Sequence, residues 1–141
     1  MKRQKMAIVG FGGQGKLFFN AARRLLTDSL EVVTVCDINP EAFRQMSGNE
    51  SWQASFPKEV EVDSARIRIY DNSMFNGFMF KGMLNKEKPD IVIVSTWTKY
   101  HAGVVEAAAE NGVKKILCEI PMASSLEDAR RIIDVCRKHG A

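Results

Sequence analysis

Cysteine is scarce in this chain. Only Cys36, Cys118 and Cys136 occur among 141 residues, in no spacing that would suggest a metal site or a disulfide framework. Cys36 and Cys118 fall within apolar stretches and read as small buried hydrophobes, which suits a reducing cytoplasm. Long hydrophobic runs are missing too. No stretch approaches the roughly 20 apolar residues of a membrane span, and the N-terminus passes from a few basic residues straight into a short apolar run, with no secretory pattern. Charge of one sign is also lacking. The net charge is +3, partly from Lys2, Arg3 and Lys5, and nothing forms the basic patch or stripe that nucleic acid would need. No internal repeat or low-complexity segment appears.

What is present describes a globular chain. With 45% apolar and 26% charged residues, composition and length fit one domain, residues 1–141, with a single core.

Its organising stretch is Met6-Ala-Ile-Val-Gly-Phe-Gly-Gly-Gln-Gly15. An apolar strand enters a glycine cluster, and an amphipathic run follows. Gly10, Gly12 and Gly15 have the G-x-G-x-x-G spacing of a dinucleotide-binding turn. The first glycine permits the tight turn, the second lets backbone approach a pyrophosphate, and the third lets helix pack on strand. Backbone from Gly10 through Phe11, Gly12, Gly13 and Gln14 would then hold the pyrophosphate at the helix N-terminus. The helix is expected over residues 14–27, with Leu17, Phe18, Ala21, Ala22 and Leu25 on one face.

A second apolar, β-branched run, residues 30–36, ends in Asp37. An acid there, about 20 residues beyond the glycine turn, accepts hydrogen bonds from the adenosine ribose hydroxyls. The competing role is a turn or capping residue, since Asp-Ile-Asn-Pro is also a turn sequence. Asp37 bears on cofactor choice as well. A 2′-phosphate beside this carboxylate meets a like-charge repulsion on the order of 4 kcal/mol before screening, and no arginine follows directly to offset it. NAD is favoured over NADP.

Further on, residues 40–46 are expected as a short helix with Pro40 in its first turn, ended by Ser47-Gly48-Asn49. Residues 50–65 read either as a small hairpin or as an irregular loop, with Trp52 and Phe56 in local packing. Residues 66–70 read as the third strand. Asp71-Asn72-Ser73 can cap a helix running to about Lys86, rich in large apolar residues between Met74 and Leu84. Ile91-Val-Ile-Val94 suits a strand buried on both faces. Ser95 to His101 follow at its carboxyl end, where open α/β sheets place ligands. The next helix, with Val104, Val105, Ala108 and Ala109, stops at Asn111-Gly112. Residues 114–118 form a fifth strand, and Ser124 with Glu127 makes a capping box for the last helix. Alternation of strand and helix implies an α/β fold: a doubly wound parallel sheet of Rossmann type, in order 3-2-1-4-5.

Together, Val9-Gly-Phe-Gly-Gly-Gln-Gly15, Val35-Cys-Asp37, Pro89-Asp-Ile-Val-Ile-Val-Ser-Thr96, His101 and Cys118-Glu-Ile-Pro121 resemble one family. It is the N-terminal domain of the glucose–fructose oxidoreductase, inositol dehydrogenase and rhizopine-catabolism (Gfo/Idh/MocA) enzymes. The resemblance covers nearly the whole chain. It implies that Ser95, Thr96, Trp97 and His101 contact the nicotinamide half of the cofactor, with Trp97 where the family usually has proline. The other role open to His101 is a helix N-terminal residue with a satisfied hydrogen bond. The resemblance also implies that Glu119 lies near the nicotinamide ribose.

The family's next residue is usually a lysine that aids substrate binding and proton transfer. Here it is Ile120, which has no proton to give, so no catalytic residue is assigned. The family also carries a C-terminal α/β domain with an open sheet that supplies substrate contacts and the oligomer interface. The chain is therefore expected to be the dinucleotide-binding piece of a longer two-domain protein, a homo-oligomer acting on a small polyhydroxylated substrate. Hydride would pass between nicotinamide and a hydroxyl or keto carbon of a sugar-like or cyclitol compound. Alone, the domain would expose apolar helix surface and self-associate. A non-catalytic NAD-binding module for sensing or assembly is the alternative that Ile120 supports. A methyltransferase using S-adenosylmethionine fits residues 95–98 and 119–121 poorly.

Overall fold

The computed structural model describes residues 2–43, 58–62, 65–71 and 79–141. Strand β1 (Gln4–Val9), helix α1 (Gly13–Leu25) and strand β2 (Leu30–Cys36) open the chain, followed by a 3-10 turn at Pro40–Phe43. Then come β3 (Lys58–Val62), β4 (Ala65–Tyr70), α2 (Met79–Glu87) and β5 (Ile91–Val94). A second 3-10 turn (Thr98–Tyr100), α3 (His101–Glu110), β6 (Lys115–Cys118) and α4 (Leu126–His139) complete it.

One six-stranded sheet carries the fold, in order β3-β4-β2-β1-β5-β6. Its five parallel strands run in the order 3-2-1-4-5 that the sequence implies. The addition is β3, which pairs antiparallel with β4, Val62 opposite Ala65 and Lys58 opposite Ile69. Of the two readings of this region the hairpin is the one that forms. The expected contacts of Trp52 and Phe56, the end of the short helix at residues 44–49, and the Asn72-Ser73 cap with the first turns of its helix lie outside the described residues.

The pleat sends alternate side chains of each strand to opposite faces. From β1, Met6 and Ile8 join Phe19 and Ala22 of α1 and Phe43 of the 3-10 turn in one core. Ala7 and Val9 join Met83 and Leu84 of α2, Val104, Val105 and Ala108 of α3, and Ile132 of α4 in the other. On β2 the alternation slips once. Met6 pairs with Val32 but Ala7 with Thr34, so Val33 is an extra residue, and this bulge lets Val32 and Val35 share a face.

Two helices bury only part of the face their sequences suggest. On α1, Leu17 and Leu25 are exposed, whereas Gly15, Phe19 and Ala22 are buried. Gly15 decides this: a Cβ there would lie 2.0 Å from the Gly10 carbonyl oxygen. That side of the helix must face the strand, and residues four and seven further on follow it inward. On α4 the capping box sits one residue late. Ser125 Oγ accepts the N–H of Asp128 at 3.1 Å. Of the apolar stripe expected on this helix (Leu126, Ala129, Ile132, Ile133 and Cys136), Ile132 is buried and Cys136 packs against the core, while Leu126 and Ile133 are exposed.

The packing also explains the cysteines. Cys36 is buried, and burial, then the neighbouring charges of Asp37 and Asp71, push its thiol far above its usual range. Cys118 is half-buried against the second core.

Candidate cofactor-binding site

The site is a row of residues along the carboxyl edge of the sheet. Each residue that follows a strand donates its N–H to the last carbonyl of the neighbouring strand. Asp37 donates to Tyr70, Gly10 to Cys36, Ser95 to Val9 and Glu119 to Val94, all at 2.8–3.0 Å. Asp37, Gly10, Ser95 and Glu119 therefore stand one strand apart. Three inter-strand steps of about 4.8 Å separate the two acids by roughly 14 Å, with the glycine turn between them.

The turn is built for close approach. Gly10 has φ +93°, and a Cβ on it would come within 2.5 Å of the Ser95–Thr96 backbone. Ser95 Oγ donates to the Gly10 carbonyl at 2.7 Å and clamps the turn from β5. Ahead of the turn the situation reverses: nothing lies within 4 Å of a Cβ built on Gly12 or Gly13. The N-terminus of α1 has no side-chain cap and no acid in its first turn. Its first amides and the positive end of its dipole are left to an anion. Phe11 contributes differently. Its ring is buried, edge-on to Phe19 and stacked on Phe43, so only its backbone belongs to the site.

That backbone N–H donates to Asp37 Oδ2 at 2.5 Å, and the N–H of Asn39 donates to Asp37 Oδ1 at 2.8 Å. The second bond is the turn role open to Asp37 from its sequence. It coexists with a carboxylate aimed at the groove, because each carboxylate oxygen has a further lone pair. Asp37 lines a cavity of about 640 Å³ together with Gly10, Gly12, Ser95, Thr96 and Trp97.

At the other end, Gln14 Nε2 donates to Glu119 Oε1 at 3.2 Å. This contact joins the first turn of α1 to the end of β6. Trp97 is 77% exposed and Ile120 is 86% exposed, so the two departures from the family pattern both stand in the open on adjacent strand ends. His101 is buried. Its Nε2 lies 3.0 Å from the Thr96 carbonyl oxygen and its Nδ1 lies 3.3 Å from that of Met122. Its ring meets loop backbone on both sides.

Sequence reasoning does not single out Ile38, exposed beside Asp37 and lining the cavity. Its one signal is an apolar residue inside a polar turn. Arg131 and Asp128 of α4 also line the cavity. They are held by a bidentate pair from Arg131 to Glu106, at 2.9 and 2.6 Å, and by an Arg131–Asp128 bond. No spacing in the sequence connects them to the glycine turn.

An open, uncapped helix N-terminus, flanked on one side by a fixed carboxylate, fits a dinucleotide. A sequence profile for an oxidoreductase family with an NAD-binding Rossmann fold matches residues 4–141. The chain belongs to that family.

Within it, this NAD-binding domain is 30% identical over 140 residues to D-apiose dehydrogenase of Paraburkholderia graminis, covering 99% of this chain and 31% of that protein. It is 29% identical to inositol 2-dehydrogenase of Klebsiella pneumoniae, covering 96% of this chain and 34% of that one. Among solved structures, the WlbA dehydrogenase of Bordetella pertussis, in complex with NADH and UDP-GlcNAcA, superposes with a TM-score of 0.74 at 24% identity. That match covers 100% of this chain and 35% of the other, and at this identity it shows the fold. The chain thus spans about a third of the length of the relatives it matches. Among the described residues no helix is long and apolar enough to cross a membrane. No three His, Cys, Asp or Glu side chains there gather as a metal would require.

Proposed function

We propose that this domain binds NAD in preference to NADP and holds it for hydride transfer to or from a sugar-like or cyclitol substrate. The observation that carries this reading is the Asp37 carboxylate, held at the groove by the N–H groups of Phe11 and Asn39. Its remaining lone pairs suit two ribose hydroxyls, while a 2′-phosphate would meet a fixed negative charge. Gly10 to Gln14 would take the pyrophosphate on backbone amides. Ser95, Thr96 and Trp97 would bound the nicotinamide half, and Glu119, steered by Gln14, would accept from its ribose. The nicotinamide itself supplies the hydride chemistry when bound.

The substrate half of the reading rests on the relatives, several of which carry the names of sugar or cyclitol dehydrogenases. Ile120 cannot move a proton, so the proton that accompanies hydride transfer would be handled by another group of the full-length protein. A homo-oligomer and a cytoplasmic setting belong to the same proposal.

Calorimetric titration with NAD and NADP, in the unaltered protein and in Asp37→Ala, tests it. NAD should bind at least about tenfold tighter than NADP, a gap of about 1.4 kcal/mol. The variant should lose that discrimination. Equal affinity for the two cofactors in the unaltered protein would sink the preference, and absence of binding to either would sink the cofactor reading.

A further inference from the structure

Among the residues of the site, His101 is placed unlike the rest. It is buried at the first residue of α3, and both of its ring nitrogens face backbone carbonyl oxygens, Thr96 at 3.0 Å and Met122 at 3.3 Å. Those carbonyls belong to different loops. Thr96 lies in the loop after β5, between Ser95 and Trp97. Met122 lies in the loop after β6, three residues beyond Glu119. If Asp37 takes the adenosine ribose, the nicotinamide half falls over these two loops.

We propose that His101 is a positioning residue for the nicotinamide half of the cofactor, setting the distance between the loop after β5 and the loop after β6 through the carbonyls of Thr96 and Met122. The inference rests on the dinucleotide reading above. A neutral imidazole has one N–H and one bare nitrogen, so it donates to one carbonyl at a time. Nε2, the nearer nitrogen, is taken as the donor to Thr96. The Met122 oxygen then faces the bare Nδ1 at 3.3 Å with no hydrogen between them, so the ring bonds one loop and only spaces the other. Other groups reinforce each side: Glu119 N–H donates to the Val94 carbonyl at 2.9 Å, and the Tyr100 N–H donates to Trp97 at 2.8 Å. Between the two loops themselves, the ring is the bridge. A merely structural histidine would affect the whole domain alike. A positioning histidine affects one end of the groove.

The protein is titrated with NAD and, separately, with AMP, which reports the adenosine end alone. Three variants are compared with the unaltered chain. His101→Phe keeps a ring and removes the donor. His101→Gln offers an amide N–H near the place of Nε2, and His101→Asn offers one near the place of Nδ1. His101→Phe should weaken NAD binding about tenfold, the size of one lost buried hydrogen bond, and leave AMP binding within about twofold. His101→Gln should restore NAD binding to within about threefold of the unaltered protein, and His101→Asn should not. NAD and AMP affinities falling together, or neither falling, overturns the proposal, as does equal rescue by the two amides. If His101→Phe fails to fold, the comparison of glutamine with asparagine decides alone. If the unaltered protein binds AMP but not NAD, or neither, the dinucleotide reading falls and takes this inference with it.

Discussion

Phe11 and Asp37 are joined by a hydrogen bond of 2.5 Å from the Phe11 N–H to Asp37 Oδ2. The bond ties the glycine turn after β1 to the end of β2, so the acid that would read the cofactor is part of what holds the turn in shape. Recognition and architecture share one carboxylate. Asp37→Asn separates them imperfectly, because one amide oxygen can still accept from Phe11 while the amide N–H₂ then faces the N–H of Asn39. The Asn39 N–H is exposed and can turn to water, so we expect a loss of only about 0.5–1.5 kcal/mol in urea unfolding, the net worth of one hydrogen bond. An unchanged unfolding midpoint would mean that the bond from Asn39 adds nothing to the stability of the turn.

The glycines of the turn should divide by role. Gly10→Ala places a Cβ 2.5 Å from the Ser95–Thr96 backbone at a φ of +93°, and neither strand can move without breaking the sheet. It should cost more than about 2 kcal/mol and reduce yield of folded protein. Gly12→Ala meets nothing within 4 Å and has φ −73°, so it should cost at most about 1 kcal/mol while weakening NAD binding. Circular dichroism melting beside calorimetry separates the two. Equal destabilisation by both would contradict the division.

This turn was legible in the sequence because its requirements are local: three glycines at fixed spacing and an acid after the next strand. What escaped the sequence depends on contacts between distant segments. The face that α1 buries follows from Gly15 against Gly10, a condition that outranks the exposed Leu17 and Leu25. Residues 58–69 alternate equally well as a hairpin or as loop and strand, and pairing with β4 alone decides between them. In the site, Gln14 and Glu119 meet across 105 residues. The two carbonyls around His101 are equally invisible to any spacing rule.

A buried polar cluster below the sheet edge gives a prediction independent of the cofactor. Glu87, 6% exposed at the end of α2, accepts from Tyr70 Oη at 2.5 Å and from Arg68 Nη1 at 2.5 Å. Burial and this bond push the Tyr70 phenol well above its usual range. Tyr70→Phe leaves one carboxylate oxygen buried without that partner and should cost about 1–3 kcal/mol. Urea unfolding measures it. A neutral result would show that the Arg68 contact alone satisfies Glu87.

Alkaline pH should weaken the domain through Cys118. Burial first, the charge of Glu119 second and Cys136 third push its thiol up from 9.0 to about 11. A raised folded-state value means that the native chain holds this proton more tightly than the unfolded chain. The resulting stabilisation is complete below 9.0 and is lost as pH rises through about 11. Across that window the unaltered domain should therefore lose more stability than Cys118→Ala does. Parallel pH profiles of the urea midpoint would argue against it.

Ile120 offers the cleanest separation of binding from catalysis. Its side chain is 86% exposed, so Ile120→Lys creates neither a cavity nor a buried charge. Exposed substitutions of this kind stay within about 0.5 kcal/mol. The nearby Glu119, already bonded by Gln14 at 3.2 Å, keeps its place, and NAD affinity should change by less than about threefold, under about 0.7 kcal/mol. In a two-domain protein of the kind proposed above, the consequence differs between the two roles open to this position. If another group handles the proton, the added lysine has no transition-state charge to stabilise, and kcat should stay within about threefold at every pH. A kcat that rises by about tenfold or more, with a new ionisation in its pH profile, would show that the site can use a proton donor here. In that case Ile120 would mark an activity given up, not one supplied from elsewhere.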